Sequence, residues 1–148
     1  MSPLAQQIVN LVQNATTQNH AFLPVGPGQG NQVTNAVMAQ ANQAVREQHA
    51  ETMIEYRFAE GIQQNFDYFI PQTYEAIEVE LSLSNPYPCL QKDSLKVLLA
   101  RYHGQNIQSL ILVGDPGSRQ KMNAPAQREL LEYLRVIHGL NIEISELH

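Results

Sequence analysis

The first hydrophobic pattern in the chain is helical. Between residues 3 and 14, the apolar Ile8, Leu11 and Val12 fall on one side of a helix. Ser2 stands directly before this segment, where its hydroxyl can cap the free amide groups of the first turn. The pattern therefore predicts a short amphipathic helix at the start of the chain.

A second, longer helix is predicted from Gln32 to about Gln63, after a glycine-rich loop at residues 25–32. Its second half carries the stronger apolar stripe, because Ile54, Phe58 and Ile62 are spaced four residues apart. Its first half is rich in Ala, Gln and Asn. That composition favours packing against a partner or a second copy over a large private core.

The two helical segments suggest a division of the chain. Residues 1–45 are predicted to form an N-terminal helical arm, which is the candidate surface for oligomerisation, and residues 46–148 an α/β core. A chain of 148 residues is long enough to bury one substantial hydrophobic core.

The pattern changes from helical spacing to alternation after residue 65. Phe66–Ile70 and Tyr74–Leu83 read as two strands close enough to form a hairpin. The later elements are predicted to be a helix at Leu90–His103, a strand at Ser109–Val113, a helix at Ala126–His138 with Gly139 as its cap, and a strand at Asn141–Leu147. This order predicts an α/β (α+β) fold, in which a mixed central sheet of four to five strands is flanked by helices.

Three carboxylates stand out within the predicted hairpin. Glu78 and Glu80 are two residues apart in an apolar strand, so their side chains point to the same face of the sheet. Asp67 lies on the preceding strand, within reach of both if the two strands pair. Such a group of oxygen ligands suits a hard cation such as Mg²⁺, which would also relieve the repulsion between like charges. A strand with one solvent-exposed face explains Glu78 and Glu80 equally well.

Composition narrows the function classes. The net charge of −5 argues against a protein that coats nucleic acid through a basic surface, although an enzyme with a local groove remains compatible with it. The single Cys89 excludes an intrachain disulfide and a cysteine zinc site. The N-terminal segment has no basic stretch and no long apolar run, so we expect a cytoplasmic protein with no membrane segment.

The stretch around the three carboxylates resembles the core of the PD-(D/E)XK, or restriction-endonuclease-like, nuclease superfamily. In that family a strand with a metal-binding Asp precedes a strand with Glu-x-Lys or a variant such as Glu-x-Glu. Asp67 matches the first acid, Glu78 the second and Glu80 the variant third position. The resemblance covers residues 51–113, since a helix and an apolar strand follow the motif. It implies a Mg²⁺- or Mn²⁺-dependent endonuclease that acts on DNA as a dimer.

The resemblance also implies roles for individual residues. Asp67, Glu78 and the backbone carbonyl of Val79 would bind the metal ions, and Glu80 would orient or deprotonate the attacking water. The family places a lysine where this chain has Glu80. The resemblance therefore assigns the positive charge to the helix that follows.

Two residues of that helix are candidates for this charge. Lys92 is the candidate catalytic lysine, and Lys96 is the candidate contact to substrate phosphate. The family also has an acidic residue on a helix before the first strand, and Glu55 or Glu60 would take that place.

A second candidate site follows the apolar strand at Ser109–Val113. Asp115, Arg119 and Lys121 stand at its carboxyl end, where ligands of α/β sheets often bind, so Arg119 and Lys121 are candidate phosphate contacts. A simple turn at Asp-Pro-Gly with solvated charges is the alternative. Two other function classes stay open. One is a non-enzymatic, nuclease-like interaction or regulatory protein that assembles through its N-terminal helices, and the other is a module that binds a small ligand at this loop.

Overall fold

The computed structural model describes residues 1–148 and shows one sheet with helices on both faces. The helices are α1 (Pro3–Gln18), α2 (Gly30–Gln48), α3 (Pro86–Tyr102), α4 (Ser118–Lys121) and α5 (Pro125–His138). The strands are β1 (Met53–Arg57), β2 (Asn65–Ile70), β3 (Glu75–Glu80), β4 (Ser109–Gly114) and β5 (Asn141–Glu146). No helix is both long and apolar enough to cross a membrane.

The five strands lie side by side in chain order, and their directions are mixed. β1, β2 and β3 pair antiparallel, whereas β3, β4 and β5 pair parallel. Parallel neighbours need a crossover, which α3 and α5 provide. The predicted α/β (α+β) fold with a mixed sheet flanked by helices is therefore confirmed, as is the hairpin of β2 and β3. The carboxyl ends of β3, β4 and β5 lie side by side at one end of the parallel part of the sheet, which we call its carboxyl edge.

α1 begins where the sequence predicted it. The Ser2 hydroxyl accepts a hydrogen bond from the Ala5 amide at 3.1 Å, and Pro3 occupies the first turn, where no amide partner is needed. The helix runs to Gln18, four residues beyond the predicted end. Its apolar side chains recur at helical spacing and are fully withdrawn from water at Ile8.

α1 and α2 cover one face of the sheet. More than half of the 14 buried residues in this cluster belong to the two helices, and the rest belong to the sheet and to Leu147. The boundary that we predicted between arm and core, at residue 45, falls inside α2. Val45 itself is completely buried in the shared cluster. The apolar side chains of both helices are used against the sheet, so an oligomer formed through them would use their polar faces.

α3 and α5 cover the opposite face with a second cluster of 14 buried residues, which includes Leu110 and Leu134. The segment at residues 84–88, predicted only to end a strand, leads into α3, and its residues 86–88 form the first turn of that helix. Pro86 and Pro88 are tolerated there because the first amide groups of a helix have no intrahelical acceptor. In the second βαβ unit, β4–α5–β5, Gly139 caps α5 with a φ of 58°, as predicted.

The prediction of one helix from Gln32 to Gln63 is wrong in its second half. The helix ends at Gln48, and β1 follows after a short turn. The spacing of Ile54 and Phe58 suggested a helix, but Met53 to Arg57 also alternates between exposed and half-buried positions. Pairing with β2 satisfies the backbone of this segment, and that long-range contact decides between two patterns that fit equally well locally.

β1 contains an irregular position. Glu55 has a φ of 50°, which is uncommon for a residue with a side chain, and it lies in the middle of the strand. The pairing between β1 and β2 includes Ile54 with Tyr68 and Tyr56 with Phe66, but it omits Glu55 and Asp67. The ladder is thus interrupted at the position of Asp67.

Glu75 anchors the start of α1 to the sheet. Its buried carboxylate accepts hydrogen bonds from the Ser2 amide at 2.9 Å, from the Ser2 hydroxyl and from the Thr73 hydroxyl at 2.5 Å. Burial alone would raise the pKa of Glu75, but these hydrogen bonds outweigh it and lower the pKa below its ordinary value.

Replacing this carboxylate with an amide, Glu75→Gln, is expected to lower the free energy of unfolding by about 1.5–3 kcal/mol near neutral pH, because charge-assisted hydrogen bonds are lost. Because the pKa of Glu75 is lower in the folded chain, its carboxylate stabilises the fold at pH values above the unfolded-state pKa, near 4.5. This stabilisation is lost as the pH falls through the folded-state pKa. The difference between the two proteins should therefore shrink in acid. Urea unfolding near neutral pH and in acid measures it, and an equal difference at both would contradict a charge effect. Exposed Glu132→Gln is the control.

Candidate functional site

Asp67 lies on β2 where the ladder with β3 ends. Regular pairing stops at Tyr68 with Ile77, so Asp67 stands beside Glu78. The Asp67 carboxylate takes the place of a backbone partner, because its Oδ2 accepts a hydrogen bond from the Val79 amide at 2.7 Å. Its other oxygen accepts no hydrogen bond.

Glu78 is held by a lysine from α3. Its carboxylate forms an ion pair with the Lys96 ammonium, which lies 3.4 Å from the Asp93 carboxylate as well. All three side chains are nearly withdrawn from water, with exposed fractions of 12% for Glu78, 9% for Lys96 and 4% for Asp93. We call Asp67, Glu78, Asp93 and Lys96 the buried charge cluster.

The environment of Lys96 is partly apolar. Its ammonium lies 5.1 Å from the centre of the Phe66 ring, a distance at which a cation is attracted to the aromatic face. Burial lowers the pKa of Lys96 to about 8, although Asp67 acts in the opposite direction. Burial thus works against the charged form of Lys96, and the ion pair with Glu78 works in its favour.

The acids of the cluster are also affected by burial. Burial raises the pKa of Asp67, and it does so in spite of the hydrogen bond from Val79 and the nearby Lys96. It raises the pKa of Asp93 in the same way, against the influence of Lys92. Burial thus favours the neutral forms of Asp67, Asp93 and Lys96.

Glu80 points to the same face but lies further along β3, in a groove of about 260 Å³ that Lys92 and Cys89 also line. Burial raises the pKa of Glu80; Lys92 lowers it, and Asp93 and Asp67 raise it further. Lys92 remains at the surface with 61% of its side chain exposed, 3.7 Å from Asp93. The structure thus separates the two candidate lysines, with Lys96 inside the cluster and Lys92 at its rim.

Cys89 is half-buried beside the cluster. Its thiol donates to Asp93 Oδ2 at 3.4 Å, and burial raises the pKa of Cys89 to about 12. The residue therefore stays protonated and acts as a donor to the buried acid, which makes it a poor nucleophile.

The two candidate phosphate contacts beyond β4 do not share a pocket. The Lys121 ammonium donates to the Leu83 carbonyl at 2.9 Å and lies 3.5 Å from Asp115. Arg119 lines a different groove, and its backbone amide donates to Glu146 at 2.8 Å. A small-ligand site that uses both side chains together is not formed here.

The donor set of the buried charge cluster suits a hard cation. Asp67 and Glu78 supply carboxylate oxygens, the ligands that Mg²⁺ and Mn²⁺ prefer. Glu78 Oε1 and Asp93 Oδ1, which face the ammonium, receive no directional hydrogen bond although both are buried. No three acidic, histidine or cysteine side chains converge on one point, and the Lys96 ammonium holds Glu78. A cation bound by Asp67 and Glu78 would therefore replace Lys96 at the Glu78 carboxylate.

Sequence reasoning missed Asp93. Its signal was an acid on the inward stripe of α3, where Leu90 and Val97 are buried at helical spacing from it, with a lysine three residues later. The helix-borne acid that the resemblance implies is not found at Glu55 or Glu60. Glu55 lies on β1 and Glu60 in the turn that follows, and both are exposed.

Comparison of the chain with protein-family models, with curated proteins and with solved structures gives no significant match.

Proposed function

We propose that this chain is a divalent-metal-dependent nuclease that hydrolyses phosphodiester bonds of DNA. One observation carries the proposal: Asp67 and Glu78 lie side by side on neighbouring strands, and Lys96 of α3 forms an ion pair with Glu78. Two acids and a lysine held out of water in the middle of a sheet cost folding free energy, which favours a chemical role over a purely structural one. The Asp and Glu positions are those of the nuclease superfamily that the sequence resembles.

In this mechanism Asp67, Glu78 and the Val79 carbonyl would hold Mg²⁺ or Mn²⁺. A bound metal ion lowers the pKa of a water molecule and stabilises negative charge on the leaving oxygen. The hydrogen bond from the Val79 amide fixes the orientation of the Asp67 carboxylate before any ligand arrives. Asp67 is thus held in a binding geometry at no further entropic cost.

The remaining side chains act on the substrate. With a cation bound at Glu78, the Lys96 ammonium would be free to pair with a phosphate oxygen, and Asp93 would keep it inside the cluster. Glu80, whose pKa burial raises, accepts the proton of the attacking water. Lys92 lies at the rim of the same groove and offsets phosphate charge from there.

One observation favours the alternative, a nuclease-like protein without catalytic activity. The Lys96 ammonium already neutralises Glu78, so the cluster is electrostatically complete without a metal ion. A binding or regulatory protein could retain such an ion pair for its structure alone.

The deciding experiment is a calorimetric titration of Mg²⁺ and Mn²⁺ into the metal-free protein, followed by a plasmid-cleavage assay. We expect the wild-type chain to bind Mn²⁺ and to cut DNA. The double variant Asp67→Ala/Glu78→Ala should lose metal binding, with a fall in cleavage rate of about 1,000-fold or more, because several kcal/mol of transition-state stabilisation depend on the metal.

The matched control is Glu47→Ala/Glu132→Ala, which removes two exposed carboxylates from α2 and α5 and should change neither result. Metal binding that persists in the Asp67/Glu78 variant would place the cation elsewhere. A wild-type chain that neither binds Mn²⁺ nor cuts DNA would favour the interaction protein.

A further inference from the structure

A second groove lies on the same side of the sheet as the buried charge cluster. Arg119 of α4 and Arg128 of α5 line it together with the apolar Met122, Leu131 and Ile144, and its volume is about 530 Å³. We call it the arginine groove. It combines two guanidinium groups with apolar surface.

Neither guanidinium in the arginine groove has an acidic partner. The ion pairs of the chain are made by the N-terminal ammonium, Lys92, Lys96, Lys121 and Arg135. Two like charges that line one groove repel each other, and a bound anion would remove that repulsion. Arg46, Arg57 and Arg101 also form no ion pair, but Arg119 and Arg128 are the two that line a common groove.

The groove is close to Glu80, which follows Glu78 of the buried charge cluster along β3. Glu80 pairs in register with Gly114 of β4, which pairs with Glu146 of β5, and Glu146 accepts the Arg119 amide. β3 and β5 are two strand spacings, about 10 Å, apart. This is therefore the distance from Glu80 to Glu146, to which Arg119 is hydrogen-bonded. Met122 and Ile144 belong to the cluster on the α3 and α5 face, toward which Glu78 and Glu80 also point.

We propose that Arg119 and Arg128 bind phosphodiester groups of a DNA strand that crosses the carboxyl edge of the sheet beside the buried charge cluster. The identity of the ligand rests on the proposed function. Guanidinium groups match phosphate in charge and in hydrogen-bond geometry. The apolar side chains between them offer contact surface for deoxyribose. The groove thus supplies affinity from backbone contacts and no sequence preference.

The test is fluorescence anisotropy of a short labelled DNA duplex, titrated in EDTA with the wild-type chain and with Arg119→Ala/Arg128→Ala. The EDTA makes the measurement independent of the metal site. Loss of two phosphate contacts should weaken binding about tenfold and make the slope of log K against log salt shallower by about 1.8. Arg46→Ala/Arg135→Ala removes the same charge elsewhere, from α2 and from the exposed surface of α5, and should leave the slope unchanged.

A wild-type slope in the Arg119/Arg128 variant overturns the proposal, and so does an equal change in the control, which would show a general effect of net charge. A wild-type chain that binds no DNA also overturns it. In that case calorimetry with Mn²⁺ separates the two ideas. Metal binding that depends on Asp67 and Glu78 would leave the metal site standing and reject only the arginine groove.

Discussion

Removal of residues 1–45 is expected to unfold the rest of the chain. These residues include all of α1 and most of α2, which cover one face of the sheet. Without them, five large apolar side chains of that face would meet water: Tyr68, Ile70, Ile77, Ile111 and Val113. At about 1.5–3 kcal/mol for each, the loss is about 10 kcal/mol, which is comparable to the whole net stability of a typical domain.

Urea unfolding followed by circular dichroism measures this effect, with the full chain and residues 46–148 compared under the same conditions. The full chain should unfold in one cooperative transition, and the fragment should show none. Deleting residues 26–28, in the exposed connection between α1 and α2, is the control and should preserve the transition. A fragment that unfolds cooperatively would show that the first 45 residues are a separable arm.

Lys96→Met is expected to destabilise the chain by about 3–5 kcal/mol near neutral pH. Methionine keeps much of the length of the side chain but leaves Glu78 and Asp93 buried without a cation, and an unpaired buried charge is costly. Both carboxyl groups should take up protons more readily than in the wild type, because each has lost its neighbouring cation. An acid whose pKa is raised in the folded chain lowers the free energy of unfolding. This loss is absent below the unfolded-state pKa, near 4, and grows as the pH rises.

The deficit of Lys96→Met should therefore be largest near pH 7 and should fall toward pH 5, which urea unfolding at both pH values measures. Lys92→Met is the matched control, since Lys92 is mostly exposed and surface changes of this kind stay within about 0.5 kcal/mol. An equal deficit of Lys96→Met at both pH values would mean that lost packing, and not unpaired charge, explains it.

Local pattern was sufficient for most of the fold. The hairpin at Asp67 and the buried strand before Gly114 were predicted because alternation and an uninterrupted apolar run leave few other structures. β1 was missed because Ile54 and Phe58 satisfy a helical spacing too. The choice between the two depends on pairing with β2, a contact over long range that no local window contains.

In the candidate site, too, some residues follow from local pattern and others depend on how α3 and α5 pack. Strand geometry alone places Glu78 and Glu80 on one face, and the hairpin brings Asp67 beside Glu78. The burial of Asp93 and the selection of Lys96 over Lys92 depend on which stripe of α3 faces the sheet. Arg128 was missed because the apolar stripe of α5 predicts only which side of the helix packs on the sheet. It does not predict which residues lie next to the polar side.

The positive φ of Glu55 has a consequence for solubility. β1 and β5 are the edges of the sheet, and an edge with free amide and carbonyl groups can pair with the edge of another molecule. The irregular backbone at Glu55 disturbs the regular edge that such pairing needs, and the exposed Glu55 adds a charge to this edge strand. On β5, Glu143 pairs with the N-terminal ammonium and Glu146 accepts the Arg119 amide, so charged side chains also lie on the other edge strand. We therefore expect both edge strands to resist the addition of a strand from another molecule.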